Sequence, residues 1–78
     1  MAEITDKTFE CVSRRIGEYA RLCGRTQTEV AYALLSSKTL RKHGYEHRQR
    51  GHLTEDQGRA AIAVLNYWIG ATIERQQG

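Results

Sequence analysis

The 78-residue chain contains no proline, and its seven glycines supply most of the backbone interruptions. Helix interiors reject proline, because it lacks an amide donor and its ring clashes with the preceding turn. A chain of this length forms one domain, and it buries only about 60% of the surface that its unfolded form exposes. We therefore expect a single all-α domain over residues 1–78, with three or four helices. So small a core favours a binding module over an enzyme with a deep cleft.

The first helix is predicted from a capping signal at each end. Thr5 has a side chain suited to the N-cap position, where it can accept a hydrogen bond from the first turn. Apolar residues then recur at spacings of three and four between Phe9 and Cys23, which marks one face of a helix. Gly24 follows as a C-terminal stop. These signals predict one helix that begins after Thr5 and ends before Gly24.

The second and third helices are predicted from a capping box and a pair of serines. Residues 26–29 have the Thr-x-x-Glu pattern in which two side chains satisfy each other's backbone amides. The serines at 36–37 interrupt the apolar residues that follow, and serine favours N-caps over helix interiors. We expect a break there and a short helix over about 37–43. One unbroken helix over 27–43 is the alternative.

The longest helix is predicted at the C-terminal end. A capping box at 54–57 opens it, after a segment, 44–53, that has no apolar periodicity and that we expect to be a loop. The helix runs to about Gln76, and its middle turns are apolar around nearly the whole circumference, which is typical of a helix buried on all sides. Either it is the central helix or its free side meets a second copy. The second case predicts a homodimer through Leu65, Trp68, Ile69 and Ile73.

Basic residues are concentrated in one short segment. Residues 36–52, which we call the basic segment, hold five basic residues against one acidic residue, a net charge of +4, whereas the rest of the chain sums to −1. All three histidines also lie there. A localised basic patch on an otherwise balanced chain is typical of a partner that carries many negative charges. The alternatives are a solvated loop that keeps the chain soluble and a contact with an acidic protein surface.

Residues 26–42 resemble the helix-turn-helix of phage-repressor-type regulators, in which a capped helix, a tight turn and a Ser/Thr-rich recognition helix ending in basic residues follow one another. Leu40 matches the buried residue of that recognition helix, while Leu34 stands where the family usually has glycine. The resemblance implies binding to duplex DNA, with phosphate contacts from cations and hydroxyls that reach phosphates or base edges. The residues expected to contact the partner are Ser37, Lys38, Thr39, Arg41, Lys42, His47, Arg48 and Arg50.

Two functions follow as hypotheses. The first is a small DNA-binding transcription regulator of phage or mobile-element type. The alternative is a phage-type protein inhibitor or adaptor, similar to anti-CRISPR or antitoxin proteins, whose basic segment meets an acidic surface or a nucleic-acid-binding host complex.

Other kinds of site lack support in the sequence. Gly44 separates His43 from His47, and no cysteine or carboxylate is placed to complete a zinc site with them, so we expect no metal and no cofactor. Cys11 and Cys23 lie too far apart along one helix to form a disulfide, and neither is placed for catalysis. We therefore expect no enzymatic activity.

The N-terminal residues do not have the pattern of a signal peptide, and no apolar run is long enough to span a bilayer. We therefore expect a soluble cytoplasmic protein with no membrane contact.

Overall fold

A computed structural model describes residues 2–45 and 53–77, which form an all-α fold. The helices are α1 (Asp6–Cys23), α2 (Gln27–Leu35), α3 (Lys38–Lys42) and α4 (Glu55–Gln77). Across these described ranges, β pairing is confined to an isolated bridge between Glu3 and Thr54. The bridge ties the segment before α1 to the residue before α4, with the Ile4 amide donating to the Leu53 carbonyl at 3.1 Å. The expected all-α class is confirmed.

Both ends of α1 lie where the capping signals predict them. The Thr5 hydroxyl accepts a hydrogen bond from the Thr8 amide at 3.2 Å. At the other end Gly24 has a φ of 64°, a left-handed conformation that glycine adopts without steric cost. This conformation lets the Arg25 amide donate to the Ala20 carbonyl at 2.9 Å, which satisfies one of the last carbonyl groups of the helix.

The break between α2 and α3 is confirmed, and the alternative of one unbroken helix over 27–43 is wrong. Both hydrogen bonds of the predicted capping box at the start of α2 are present, each 3.2 Å long between Thr26 and Glu29. Helix α2 ends at Leu35, and the Ser37 hydroxyl accepts from the Leu40 amide at 3.4 Å to cap α3. The helix breaks here because the serine hydroxyl accepts a backbone hydrogen bond that would otherwise be made within a continuous helix.

Helix α3 ends in a turn that places Tyr45 in the core. Gly44 is left-handed at a φ of 69°, and the Tyr45 amide donates to the Leu40 carbonyl at 3.0 Å. Tyr45 is 5% exposed, and burial raises the pKa of its phenol to about 12. We expected residues 44–53 to form a loop. Residues 46–52 of that expected loop lie outside the described residues. Tyr45 and Leu53, which flank them, are both buried in the core.

Helices α1 and α4 lie side by side and run in the same direction. Thr8 contacts Glu55 near the start of both helices, and Gln76 donates to the Leu22 carbonyl near the end of both, at 3.3 Å. Helices α2 and α3 pack against this pair and complete the core. The core side chains that are fully buried are Leu34, Leu40, Leu53, Leu65, Val12 and Val30.

Helix α1 approaches α4 most closely at Gly58. A β-carbon built on Gly58 would lie 2.6 Å from Ile4 Cδ1 and 2.8 Å from Thr8 Cγ2, so any other residue here would force these two side chains to move. A β-carbon built on Gly70, about two turns before the end of the same helix, would have no neighbouring atom within 4 Å. The close approach at Gly58 allows the first turns of the two helices to exchange hydrogen bonds directly.

The Glu55 carboxylate joins the first turns of α1 and α4. It accepts from the Thr5 amide at 3.0 Å and from the Thr8 hydroxyl at 2.6 Å, and it pairs with Arg59 at 3.2 Å. These contacts lower the pKa of the Glu55 carboxyl from 4.5 to about 2. The Thr5 amide makes the largest contribution, followed by the Thr8 hydroxyl, and Arg59 adds a smaller one. All these groups stabilise the charged form of the carboxyl.

Stability is expected to fall with acidification in the range set by Glu55. Its folded-state pKa is lower than its unfolded one, so its contribution is complete above about pH 4.5 and is lost as the pH falls towards 2. Urea unfolding of wild type and Glu55→Gln over this range measures the effect, with Asp56→Asn, the exposed neighbour in the same turn, as control. The free energy of unfolding should fall less on acidification in Glu55→Gln than in wild type or in Asp56→Asn. Equal pH dependence in all three would contradict the role of Glu55.

Helix α4 is buried on one side only. Leu65 is 0% exposed within the single chain, so this residue, expected at a dimer interface, belongs to the core instead. Trp68 and Ile69 are half-buried, and Ile73 is 38% exposed. Tyr67, between them and the core residue Leu65 in the sequence, is 75% exposed. Among the described residues no helix is both long enough and apolar enough to cross a membrane.

Candidate nucleic-acid interface

Helix α3 projects its polar side chains outward around one apolar anchor. Leu40 is fully buried against the core, whereas Lys38, Thr39, Arg41 and Lys42 are exposed. A helix of five residues has too few internal hydrogen bonds to be stable alone, so this side-chain anchor and the Ser37 cap hold it in place. The three cations carry no ion pair within the described ranges of the chain. The expected outward direction of these residues is therefore seen.

Two of the expected contact residues also have a structural part in α3. The Arg41 Nε donates to the Leu35 carbonyl at 3.2 Å, across the turn between α2 and α3. This bond uses one of five guanidinium donors and leaves the others facing solvent. Ser37 is half-buried, and its oxygen caps the helix through the Leu40 amide. Its hydroxyl hydrogen remains a donor, since the cap uses only an acceptor lone pair.

Gln57 of α4 holds the C-terminal end of α3, a role that the sequence did not reveal. Its side-chain amide donates to the His43 carbonyl at 2.7 Å and to the Gly44 carbonyl at 3.1 Å. Its oxygen accepts from the Thr54 amide at 3.0 Å, which is the capping box that the sequence did predict. One side chain therefore begins α4 and secures the basic end of α3. The capping of α4 can be recognised from the sequence alone. The bonds to the end of α3 can be recognised only when both helices are placed in the fold.

Three of the expected contact residues, His47, Arg48 and Arg50, lie outside the described residues, as does His52. His43 is exposed and follows the last residue of α3. Over residues 2–45 and 53–77, no group of three or more His, Cys, Asp or Glu side chains is placed to hold a metal ion. Cys11 and Cys23 are free and half-buried.

A second set of cations lies on α1 and the turn after it. Arg14, Arg21 and Arg25 line a groove of about 470 Å³, whose other lining includes Ser13 and Thr26. All three arginines are exposed, and none has an ion pair within the described part of the chain. The total charge outside the basic segment does not reveal this arginine groove, because acidic residues elsewhere on the chain cancel it.

A smaller groove connects the arginine groove with α3. Its volume is about 330 Å³, and Arg25 lines both grooves. The smaller groove also contains Ser37, the cap of α3, and the rings of Tyr19 and Trp68, whose centroids are 5.6 Å apart. The two grooves therefore form a continuous surface from Arg14 through Arg25 to Ser37, the residue that caps α3.

A third groove, which we call the apolar groove, runs between α1 and α2 beside the arginine groove, with which it shares Ser13 and Gln27. Phe9, Ile16 and Leu35 contribute to its lining, its volume is about 590 Å³, and Tyr32 beside it is 67% exposed.

No family model matches the chain, and neither the curated proteins nor the solved structures contain a significant match to it. A functional interpretation therefore depends on the charge and geometry of the residues themselves.

Proposed function

We propose that the chain is a small regulator that binds duplex DNA through α3 and the basic segment. The observation that carries this proposal is the cluster of exposed cations on α3, Lys38, Arg41 and Lys42, around a buried Leu40. None of the three has an ion pair with another described residue. Cations placed in this way neutralise phosphates and release the counterions condensed on DNA. The net charge of +4 over residues 36–52 supports the same partner.

The arrangement of α2 and α3 supports a helix-turn-helix as the binding element. Two serines separate the helices, and the turn is fixed at both ends by a cap and by the Arg41 bond to the Leu35 carbonyl. Leu34 occupies the position where phage-repressor-type regulators usually have glycine, and its side chain is fully buried. With α3 as the recognition helix, Lys38 and Thr39 lie in its first turn, the part that reaches base edges in such proteins.

Binding of wild-type protein to a random-sequence duplex at low salt tests this proposal. Fluorescence anisotropy of a labelled duplex should show binding that weakens as salt is added, since each phosphate contact contributes about −0.9 to the slope of log K against log salt. Random sequence is sufficient, because the electrostatic part of binding does not depend on sequence. An unchanged anisotropy at low salt would contradict the proposal.

The second candidate is a protein inhibitor or adaptor. The apolar groove between α1 and α2, with the exposed Tyr32 beside it, is the observation in its favour, because exposed aromatic side chains are enriched at protein interfaces. In this case the basic segment meets an acidic host protein surface. Absence of duplex binding, together with a stable complex with a purified host protein, would favour it over the first candidate.

We also propose that the regulator is a homodimer through the open side of α4. Tyr67 and Ile73 are exposed there, and Trp68 and Ile69 are half-buried. Light scattering at high protein concentration should give twice the mass of one 8.9 kDa chain, and Tyr67→Ser with Ile73→Ser should give the monomer mass. The matched control is Tyr32→Ser on α2, which should remain dimeric. A wild type that is monomeric at high concentration contradicts the proposal.

A further inference from the structure

The arginine groove differs from an ordinary solvated helix surface in the chemistry of its lining. Its polar side chains all carry hydrogen-bond donors, and among the residues that the structure describes no carboxylate lines it. These side chains come from Ser13, Arg14, Arg21, Arg25, Thr26 and Gln27. Gly17 and Ala20 leave space between them. Three positive charges around one open groove repel one another, and a bound anion relieves that repulsion.

Three acidic residues lie within four positions of a groove arginine, and two of them, Glu18 and Glu29, have partners of their own. The third, Glu10, is exposed on α1 and forms no ion pair with Arg14 among the described residues. Glu18 pairs with Arg15 at 3.0 Å, on the neighbouring turn of α1. Glu29 accepts from the Thr26 amide at 3.2 Å within the capping box of α2. Their charges moderate the positive potential of the groove, but neither carboxylate neutralises a groove arginine. The guanidinium donors of the groove are left for an external acceptor.

The spacing of the arginines fits a chain of phosphates better than a single anion. Arg14 and Arg21 are seven residues apart on α1, which places them on the same face about 10 Å apart along the axis. Adjacent phosphates along a DNA strand are separated by somewhat less than this, so two neighbouring phosphates fall within reach of flexible arginine side chains. Arg25 continues the line to the smaller groove and the Ser37 cap of α3.

We infer that the arginine groove is a second phosphate-contact surface, which holds the backbone of the DNA that α3 binds. This inference depends on the proposed function, and it extends the binding surface from the basic segment onto α1. Arg25 is the residue that joins the two surfaces, because it lines both grooves. The phosphate contacts position the duplex without reading its sequence, whereas α3 supplies the base contacts.

The test compares two triple variants that have equal charge. Arg14→Gln, Arg21→Gln and Arg25→Gln together remove the groove cations, and Lys7→Gln, Arg59→Gln and Arg75→Gln remove three exposed cations that do not line the groove. Each triple lowers the formal net charge from +3 to 0. Anisotropy titrations of a random-sequence duplex at several salt concentrations give the slope for wild type and both variants. Circular dichroism confirms that helical content is unchanged.

The groove variant should lose about 2 to 3 from the magnitude of the salt slope, and the control variant less than about 1. Arginine-to-lysine substitution at the same three groove positions should restore most of the slope, since counterion release needs charge and not the guanidinium shape. Equal slopes in groove and control variants, with wild type bound to DNA, would overturn this inference and leave the proposed function standing. A wild type that does not bind would refute the proposed function first.

Discussion

Replacing Lys38, Arg41 and Lys42 together with glutamine is expected to reduce duplex binding several hundred-fold at 0.1 M salt. Each cation that contacts a phosphate contributes about −0.9 to the salt slope, so three lost contacts change log K by about 2.7 at that salt concentration. The three side chains are exposed, but Arg41→Gln also removes the hydrogen bond to the Leu35 carbonyl, so circular dichroism has to show that helical content is unchanged. Anisotropy titration of a labelled duplex measures the loss.

The triple variant of Lys7, Arg59 and Arg75 is the control for this experiment too. It has the same formal net charge of 0, so it separates loss of a located surface from loss of total charge. Equal affinities in the α3 variant and this control would show that DNA, if it binds, does not bind through α3. Binding by α3 would also explain why these cations have no acidic partner among the described residues of the chain.

Local signals in the sequence predicted where the helices begin and end. Thr5, Gly24, the Thr26–Glu29 capping box and the Ser37 cap are each decided by neighbours within four residues, so they can be recognised without knowledge of the fold. The same short range explains why the break between α2 and α3 could be predicted but left an alternative. Serine favours the N-cap position, which suggests a break but does not require one. The burial of both Leu34 and Leu40, on either side of the turn, is what selects two helices over one.

Features that depend on distant residues could not be predicted. Glu55 looked like an ordinary acidic residue in the first turn of a helix, and its hydrogen bonds to Thr5 and Thr8 join residues about fifty positions apart. Leu65 was expected at an interface because the sequence of α4 shows apolar residues in most directions, but only the packed α1 and α3 determine which of them are covered.

The candidate site was predicted only in part, for a related reason. The net charge of +4 within residues 36–52 reveals the basic segment. A single sum over the rest of the chain, −1, hides the arginine groove, although residues 14–25 hold four arginines and one glutamate. Helical periodicity alone places Arg14 and Arg21 on one face, and this signal was present in the sequence. The position of Arg25 beside both grooves follows only from the turn that Gly24 makes.

Leu40→Ala is expected to lower the free energy of unfolding by about 2 to 5 kcal/mol, the usual range for a fully buried leucine, because it leaves a cavity where α3 meets the core. A domain of this size has roughly 4 to 12 kcal/mol in total, so the loss is a large share of its stability, and the variants have to be compared at a low temperature where both are folded. The matched control is Leu35→Ala, at a half-buried residue on the other side of the same turn, which should cost less. Urea unfolding of both variants measures the difference, and equal losses would contradict the anchoring role of Leu40.

The same pair of variants shows whether the position of the α3 cations matters as well as their charge. Leu40→Ala keeps Lys38, Arg41 and Lys42, so the total charge available to DNA is unchanged. Without its anchor a five-residue helix loses its place on the core, and the cations no longer face the duplex together. Affinity for duplex DNA should therefore fall further in Leu40→Ala than in Leu35→Ala, at a temperature where both are folded. If both variants bind as wild type does, the cations act as mobile charges, and α3 does not serve as a recognition helix.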